Sequence, residues 1–247
     1  MLVTCDGMAG SIGGGTLEWL AMAEAQRLLA KGPSRKVTRH ALGPDLGQCC
    51  GGNVDLLTEV FDASNFETWK EESLEKRRTL LLFGAGHVGR ALVLVLAQTE
   101  FQVNWIDPRP NAFPTMTPAN VKSIRAEAPE TMISHSPSNS IVLVMSHSHA
   151  LDLAIVDAAL RAPLVAETGL IGSATKRARF EKRLLAMHHA QHVIDRLICP
   201  IGIGGIGSKR PEAIAISTAA QLLALDEKLK AEEESISRGK VQQVVSA

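Results

Sequence analysis

The stretch from Leu80 to Arg109, LLLFGAGHVGRALVLVLAQTEFQVNWIDPR, constrains the fold more than any other part of the chain. An apolar strand pattern leads into Gly-Ala-Gly-His-Val-Gly, an apolar helical pattern follows, and a second strand pattern ends at Asp107. A strand, a glycine-rich turn and a helix in this order are typical of the first βαβ unit of a dinucleotide-binding fold. The stretch therefore predicts an α/β domain with a parallel sheet.

The same rhythm of strand and helix continues to the end of the chain. It predicts a Rossmann-like, doubly wound parallel sheet over residues 79–230, followed by a polar tail over 231–247. The run from Pro108 to Asn120 reads as a surface loop. The predicted strands are 80–84, 102–107, 140–145 and 163–166, and the predicted helices are 87–98, 150–160, 173–187 and 211–230.

The residues ahead of this domain predict a small mixed α/β domain over 1–62 and a helical linker over 63–78. Strand patterns lie at 2–5, 36–42 and 54–61, and a helix begins at Thr16 and ends at Gly32-Pro33. The chain opens with a strand at residue 2, so we expect part of an N-terminal element to be missing.

Composition excludes several classes of protein. Lys plus Arg and Asp plus Glu both number 26, so the basic excess typical of nucleic-acid binders is absent and we expect no such partner. No apolar run approaches the roughly 20 residues of a membrane helix, and no signal-peptide pattern opens the chain. Four cysteines, two of them adjacent, do not form a disulfide framework, which indicates a reducing cytoplasm.

The glycine-rich turn has two interpretations. Gly84, Gly86 and Gly89 allow a tight turn and a close approach of a phosphate to the helix start, where His87 could add charge. Asp107 lies where the ribose of NAD(P) is bound in many such enzymes. Alternatively, the fold is Rossmann-like and its site is empty or serves another ligand, because fold does not fix function.

Redox chemistry would need an acid or base near the sheet. The chain has no tyrosine, which excludes a Tyr/Lys proton relay, and His147 and His149 are the plausible acid/base pair. His149 and Asp152 could form an oriented imidazole. Equally, Ser148 or His149 could simply begin a helix with Asp152 in its first turn.

Adjacent thiols distinguish the loop LGPDLGQCCGG. Cys49 and Cys50 follow Gln48 and precede Gly51 and Gly52, so free amides could wrap an anion while thiolates favour a soft metal. Two small buried residues at a tight turn are the alternative.

Three further glycine-rich loops precede predicted helices. They are SIGGGT at 11–16, GLIGSATKR at 169–177, with Lys176 and Arg177 in reach, and CPIGIGGIGSKRPEA at 199–213. Such loops suggest a large anionic ligand bound between the domains. In the alternative interpretation, glycine simply terminates strands.

Taken together, SIGGGTLEW, LGPDLGQCCGG, FGAGHVGRAL, WIDPR, SHSHALD, GLIGSATKRARF and CPIGIGGIGSKRPEAIAIS resemble the XdhC/CoxI-type accessory proteins of xanthine dehydrogenase. The resemblance runs from residue 2 to about residue 224, in family order. It implies a small N-terminal domain and a Rossmann domain that bind the molybdenum cofactor (molybdopterin), shield it, present it for sulfuration and deliver it to apo-xanthine dehydrogenase.

The resemblance also implies partners: apo-xanthine dehydrogenase, a cysteine desulfurase-type sulfurating enzyme and the proteins of molybdenum cofactor biosynthesis. The sequence leaves open whether the protein forms a homodimer. The alternative function is a nicotinamide-dependent oxidoreductase with His149 as acid/base. Cys49 and Cys50 are the expected molybdenum contacts, and no catalytic residue is assigned. The expected cofactor-binding residues are Gly13, Gly14, Gly15, Gln48, Cys49, Cys50, Gly51, Gly52, Gly84, Gly86, His87, Gly89, Asp107, Arg109, His149, Lys176, Arg177 and Gly202.

Overall fold

The computed structural model describes residues 1–13, 15–42, 52–65 and 77–245. The chain divides into two compact units, Met1–Lys76 and Arg77–Ala247. Within the described residues, no helix is both long enough and apolar enough to cross a membrane.

The first unit is a small mixed α/β structure, as predicted. Strands β1 and β2 form an antiparallel hairpin, helix α1 follows, and β3 pairs with β4 in a second antiparallel ladder. Gly32 ends the helical region with a positive φ of 84°. The elements are β1 (Leu2–Val3), β2 (Met8–Ala9), α1 (Gly15–Leu29), β3 (Ser34–Leu42) and β4 (Gly52–Val60).

The second unit is built on a parallel sheet. In the described part of this unit, six strands lie in the order β10-β9-β8-β5-β6-β7, and every neighbouring pair is parallel. The chain runs outward from β5 through β6 to β7, then crosses back to β8 and runs outward the other way through β9 to β10, which is the Rossmann arrangement. The strands are β5 (Thr79–Phe83), β6 (Gln102–Asp107), β7 (Val121–Arg125), β8 (Ser140–Val144), β9 (Val165–Leu170) and β10 (Leu197–Ile198).

Helices connect these strands and cover the sheet. The predicted Rossmann-like fold is confirmed, because the helices pack on both sheet faces. They are α2 (His87–Leu96), α3 (His149–Arg161), α4 (Ala174–Ala186), α5 (Gln191–Ile194) and α6 (Pro211–Val245), with a 3-10 helix at Pro129–His135.

Alternation along β5 explains the two-layered core. Leu80 and Leu82 point to one face, where they pack with Leu92 of α2 and with α6 residues. Leu81 and Phe83 point to the opposite face, into a cluster formed with α3 and α4. Because successive strand residues face opposite sides, a run of apolar residues is needed where both faces are covered.

The structure differs from the predicted elements in several places. Strands β2, β7 and β10, helix α5 and the 3-10 helix were not predicted, and α6 continues to Val245 where a polar tail was predicted from residue 231. Arg78 explains part of the extra helix length, since its guanidinium donates to Asp226 at 2.9 Å and to Glu233 at 2.6 Å. Most of the predicted linker helix, residues 66–76, lies outside the described residues. The loop from Pro108 to Asn120 is confirmed.

Candidate functional site

The candidate site lies at the carboxyl edge of the parallel sheet, where the strand order reverses between β5 and β8. Ligands of open α/β sheets bind in the crevice at this point. The loops after these two strands are in close contact: a Cβ atom on Gly84 would lie 2.3 Å from the carbonyl oxygen of Met145. Gly84 has a φ of +117°, so this approach requires glycine.

Two of the three glycines in the turn are packed against backbone atoms, and the third has free space beside it. A Cβ atom on Gly89 would lie 2.2 Å from the carbonyl oxygen of Gly84, so both residues are needed to close the turn onto α2. A Cβ atom on Gly86, the N-cap of α2, would meet no atom within 4 Å. Gly86 therefore borders open space at a helix start, where the helix dipole favours an anion. His87 follows it and is exposed.

Asp107 binds the turn rather than facing a ligand. Its side chain is fully buried, and its Oδ2 accepts the Ala85 amide at 2.7 Å and Arg109 Nη2 at 2.8 Å. Its Oδ1 accepts the Arg109 amide at 3.0 Å and Arg109 Nε at 2.9 Å. A ribose hydroxyl needs an exposed carboxylate oxygen, so this geometry does not fit the ribose contact expected of Asp107 in an NAD(P) site.

Electrostatics at Asp107 follow from the same contacts. Burial alone would raise the pKa of Asp107, but the hydrogen bonds from Arg109 and from the Ala85 and Arg109 amides outweigh it and lower that pKa. The carboxylate in turn raises the pKa of Arg109. The pair is thus charged and mutually neutralised, so Asp107 adds little repulsion toward an anion near Gly86.

A second buried carboxylate organises the loop after β8. Asp152 Oδ1 accepts from the Ser146 hydroxyl at 2.6 Å and from the Ser146 amide at 3.0 Å, and its Oδ2 accepts from Lys176 Nζ at 2.7 Å. Ser148 is the N-cap of α3, and its hydroxyl accepts from the Leu151 amide. This pattern confirms the helix-start interpretation of Ser148.

The alternative of an oriented imidazole is wrong for the described residues, where His149 makes no hydrogen bond to Asp152. His149 is exposed, and the oxygens of Asp152 are taken by Ser146 and Lys176. A general base needs a partner that fixes its orientation and tautomer. His149 instead lines a cavity beside α4.

Two of the remaining expected residues serve the fold. Arg177 donates from Nη2 to the Ile194 carbonyl at 2.8 Å and from Nη1 to the Leu197 carbonyl. Gly202 has a φ of +100°, its amide donates to Gln221, and a Cβ there would lie 2.5 Å from the Ser217 hydroxyl. Arg177 thus ties α4 to α5 and to the start of β10, and Gly202 holds the loop after β10 against α6.

Expected residues of the first unit are described only in part. Gly13, ahead of α1, and Gly15, its first residue, have positive φ angles of 114° and 69°, and Gly52 begins β4 with a φ of 126°. The residues that lie outside the described part of the chain are Gly14, Gln48, Cys49, Cys50 and Gly51. Across the ranges that the structure does describe, no group of three or more His, Cys, Asp or Glu side chains could hold a metal ion.

Sequence reasoning named Lys176 and Arg177 but missed three further basic side chains of α4. Arg179, Lys182 and Arg183 line the same cavity as Lys176 and His149. The spacing in KRARFEKR was visible in the sequence, because residues 176, 179 and 183 follow the i, i+3, i+7 pattern of one helix face. That spacing could have identified them.

These features define a class of protein: a Rossmann-like domain with an open helix start and a basic cavity at the carboxyl edge of its sheet, both suited to an anionic ligand. The family model for the XdhC Rossmann domain matches residues 80–222, and the model for the XdhC and CoxI family matches residues 1–40. The first match covers more than half of the chain. The chain belongs to the XdhC family.

Relatives agree with this assignment. The uncharacterized protein YqeB of Escherichia coli K12 is 29% identical over 233 residues, which are 90% of this chain and 39% of that protein. A protein of Bacillus subtilis 168, named as a probable xanthine dehydrogenase subunit, is 29% identical over 154 residues, which are 62% of this chain and 44% of that protein. The chain thus spans less than half the length of either relative.

A solved structure supports the fold. The crystal structure of a protein described as a xanthine dehydrogenase from Bacillus halodurans superposes with a TM-score of 0.71 at 20% sequence identity. The match covers 92% of this chain and 85% of that chain. At this identity the likeness shows the fold alone.

Proposed function

We propose that this protein binds the molybdenum cofactor, protects it, supports its sulfuration and delivers it to apo-xanthine dehydrogenase. The observation that carries the proposal is the family assignment, with the XdhC Rossmann domain matched over residues 80–222. The name of the Bacillus subtilis relative, which refers to xanthine dehydrogenase, supports the proposed client. A cysteine desulfurase-type enzyme and cofactor biosynthesis proteins complete the proposed partners.

The geometry of the second unit fits a ligand of this kind. The molybdenum cofactor is an anionic ligand, and the open start of α2 at Gly86 leaves backbone amides accessible to an anionic group. Arg109 neutralises Asp107 beside the turn, so an anionic group there meets no uncompensated carboxylate from that residue. When bound, the cofactor would supply a molybdenum centre at which an oxo ligand is exchanged for a sulfido ligand. The chain's own residues would bind and orient it.

The oxidoreductase alternative has less support from the same residues. Its nicotinamide nucleotide would need the carboxylate of Asp107, whose oxygens already accept four N–H groups from Ala85 and Arg109. Its acid/base group would be His149, which has no carboxylate partner among the described residues. The chain has no tyrosine.

Gly86→Val tests the open helix start. The added side chain points into free space and φ is −81°, so the fold is unchanged while an anion is held away from the amides of α2. We expect cofactor affinity to fall by about tenfold or more, equivalent to about 1.4 kcal/mol. Molybdenum by mass spectrometry and pterin by fluorescence after acid oxidation measure the copurified cofactor.

Ala97→Val is the matched control, because Ala97 is exposed at the far end of α2. It should retain wild-type amounts of molybdenum and pterin. A folded Gly86→Val protein that also retains them places the site elsewhere. Wild-type protein that copurifies no pterin and restores no urate formation by apo-xanthine dehydrogenase, but oxidises NADH alone, would overturn the proposed function.

Cys49 and Cys50 are the proposed soft ligands of the metal. We expect Cys49→Ala or Cys50→Ala to lower the molybdenum content and leave the melting temperature unchanged. Cys5→Ala is the matched control, because Cys5 is an exposed free thiol of the same unit. Wild-type molybdenum in the double variant would show that the two thiols do not hold the metal.

A further inference from the structure

A basic cavity lies beside helix α4. Its volume is about 650 Å³, within the range of about 300–1,000 Å³ that is usual for small-molecule sites. His149 lines it from the start of α3, and α4 contributes a continuous face. The charged residues of that face are Lys176, Arg179, Lys182 and Arg183.

In the described part of the chain, only one of the four cations that line this cavity is paired with a carboxylate. Among the described residues that line it, none is acidic, and Lys176 is neutralised from below by the buried Asp152 at 2.7 Å. None of the ion pairs among residues 1–13, 15–42, 52–65 and 77–245 involves the other three cations, Arg179, Lys182 and Arg183. Arg179 and Arg183 are four residues apart on one helix face, where like charges destabilise a helix. A bound anion would remove this repulsion.

The position of the cavity and the groups that line it favour the binding of a small anion. It lies at the carboxyl edge of the sheet, beside the loop from Ile171 to Ser173 that follows β9, where Rossmann-type sheets bind ligands. Guanidinium groups present N–H donors in a planar fork that matches the oxygens of a phosphate. Ser173 and Thr175 add hydroxyl donors along the same wall. These groups together suit a phosphomonoester or a diphosphate.

We propose that the α4 cavity binds the phosphate-bearing end of a small phosphorylated ligand, through Arg179 and Arg183. For the identity of that ligand the inference rests on the proposed function, which it deepens by assigning one end of the cofactor to α4. The open turn at Gly86 then serves another part of the ligand. The phosphate chemistry itself is testable without the cofactor.

Titration calorimetry with inorganic phosphate and inorganic pyrophosphate tests the cavity directly. Arg179→Gln/Arg183→Gln removes two exposed cations from the cavity wall and leaves the core contacts of α4 intact. We expect pyrophosphate affinity to fall about tenfold or more, with an unchanged melting temperature. The matched control is Lys122→Gln/Arg125→Gln, which removes the same charge from exposed positions on β7 and should stay within about twofold of wild type.

Three outcomes would overturn the assignment. Equal pyrophosphate binding by wild type, control and cavity variant would place the anion elsewhere, and no binding by wild type would leave the cavity without this function. Tighter binding of a glutamate-rich peptide than of pyrophosphate, lost in the cavity variant, would make the face a protein-docking surface. If pyrophosphate binds at the cavity but the protein copurifies no pterin and restores no urate formation by apo-xanthine dehydrogenase, the proposed function fails and the phosphate site stands.

Discussion

Asp107→Asn tests whether this carboxylate stabilises the fold or contacts a ribose. The substitution keeps the shape of the side chain and removes its charge and one acceptor oxygen. In the native protein, Asp107 accepts the Ala85 amide, the Arg109 amide and two guanidinium N–H groups of Arg109, with distances of 2.7 to 3.0 Å. The asparagine NH₂ group would oppose one pair of these donors.

The expected cost follows from those contacts. Hydrogen bonds to a charged group contribute about 1.5–3 kcal/mol each, and removing one member of a buried ion pair costs about 3–5 kcal/mol. The Arg109 side chain is 41% exposed, so water can solvate part of its charge and reduce the loss. We therefore expect the free energy of unfolding of the second unit to fall by about 2–4 kcal/mol, and its melting temperature to fall by roughly 5–15 °C.

Calorimetry and urea unfolding of the wild type and the variant measure this loss. Arg125→Gln is the control, since Arg125 is an exposed arginine whose pairing with Glu127 extends to 4.0 Å. It should change the free energy of unfolding by about 0.5 kcal/mol or less. An Asp107→Asn protein as stable as this control would refute the structural role of Asp107. If that stable variant also lost NADH binding, the ribose-binding interpretation of Asp107 would be supported instead.

The same pair predicts a pH dependence. The folded-state pKa of Asp107 lies below its unfolded value, so its stabilisation is fully present above about pH 4 and is lost as the pH falls through the folded-state pKa. The stability difference between wild type and Asp107→Asn should therefore shrink in acid. A difference that stays constant or grows as the pH falls below about 4 would contradict this linkage.

Two further predictions concern other buried polar groups. Arg78→Met removes the guanidinium that pairs with the buried Asp226, and it should lower the free energy of unfolding by about 2–4 kcal/mol in urea titrations. The control is Lys228→Met, which breaks an exposed ion pair and should lower it by about 0.5 kcal/mol or less. Burial raises the pKa of the Cys199 thiol, so peptide mapping should find iodoacetamide labelling of Cys199 roughly tenfold slower than that of the exposed Cys5 at neutral pH; equal labelling rates would contradict this.

Local sequence patterns predicted most of the second unit because its βαβ connections are short and strongly periodic. The turn from Gly84 to Gly89 predicted β5, α2 and β6 within a few residues of their observed bounds. β7 was missed because VKSIR is an edge strand with charged, exposed positions and lacks the continuous apolar run of a central strand. Part of the extra length of α6 is stabilised by Arg78, which lies far away in sequence and pairs with Glu233.

For the site, sequence alone determined which residue types reach the carboxyl edge of the sheet: the turn glycines, Asp107 and the basic run that begins at Lys176. Only the tertiary structure decided their roles. It packs Gly84 against Met145, leaves Gly86 open, and turns Asp107 back onto Ala85 and Arg109. The reason is physical: a spacing fixes where a side chain starts along a strand or helix, but its partners and its exposure depend on groups brought near by the rest of the fold.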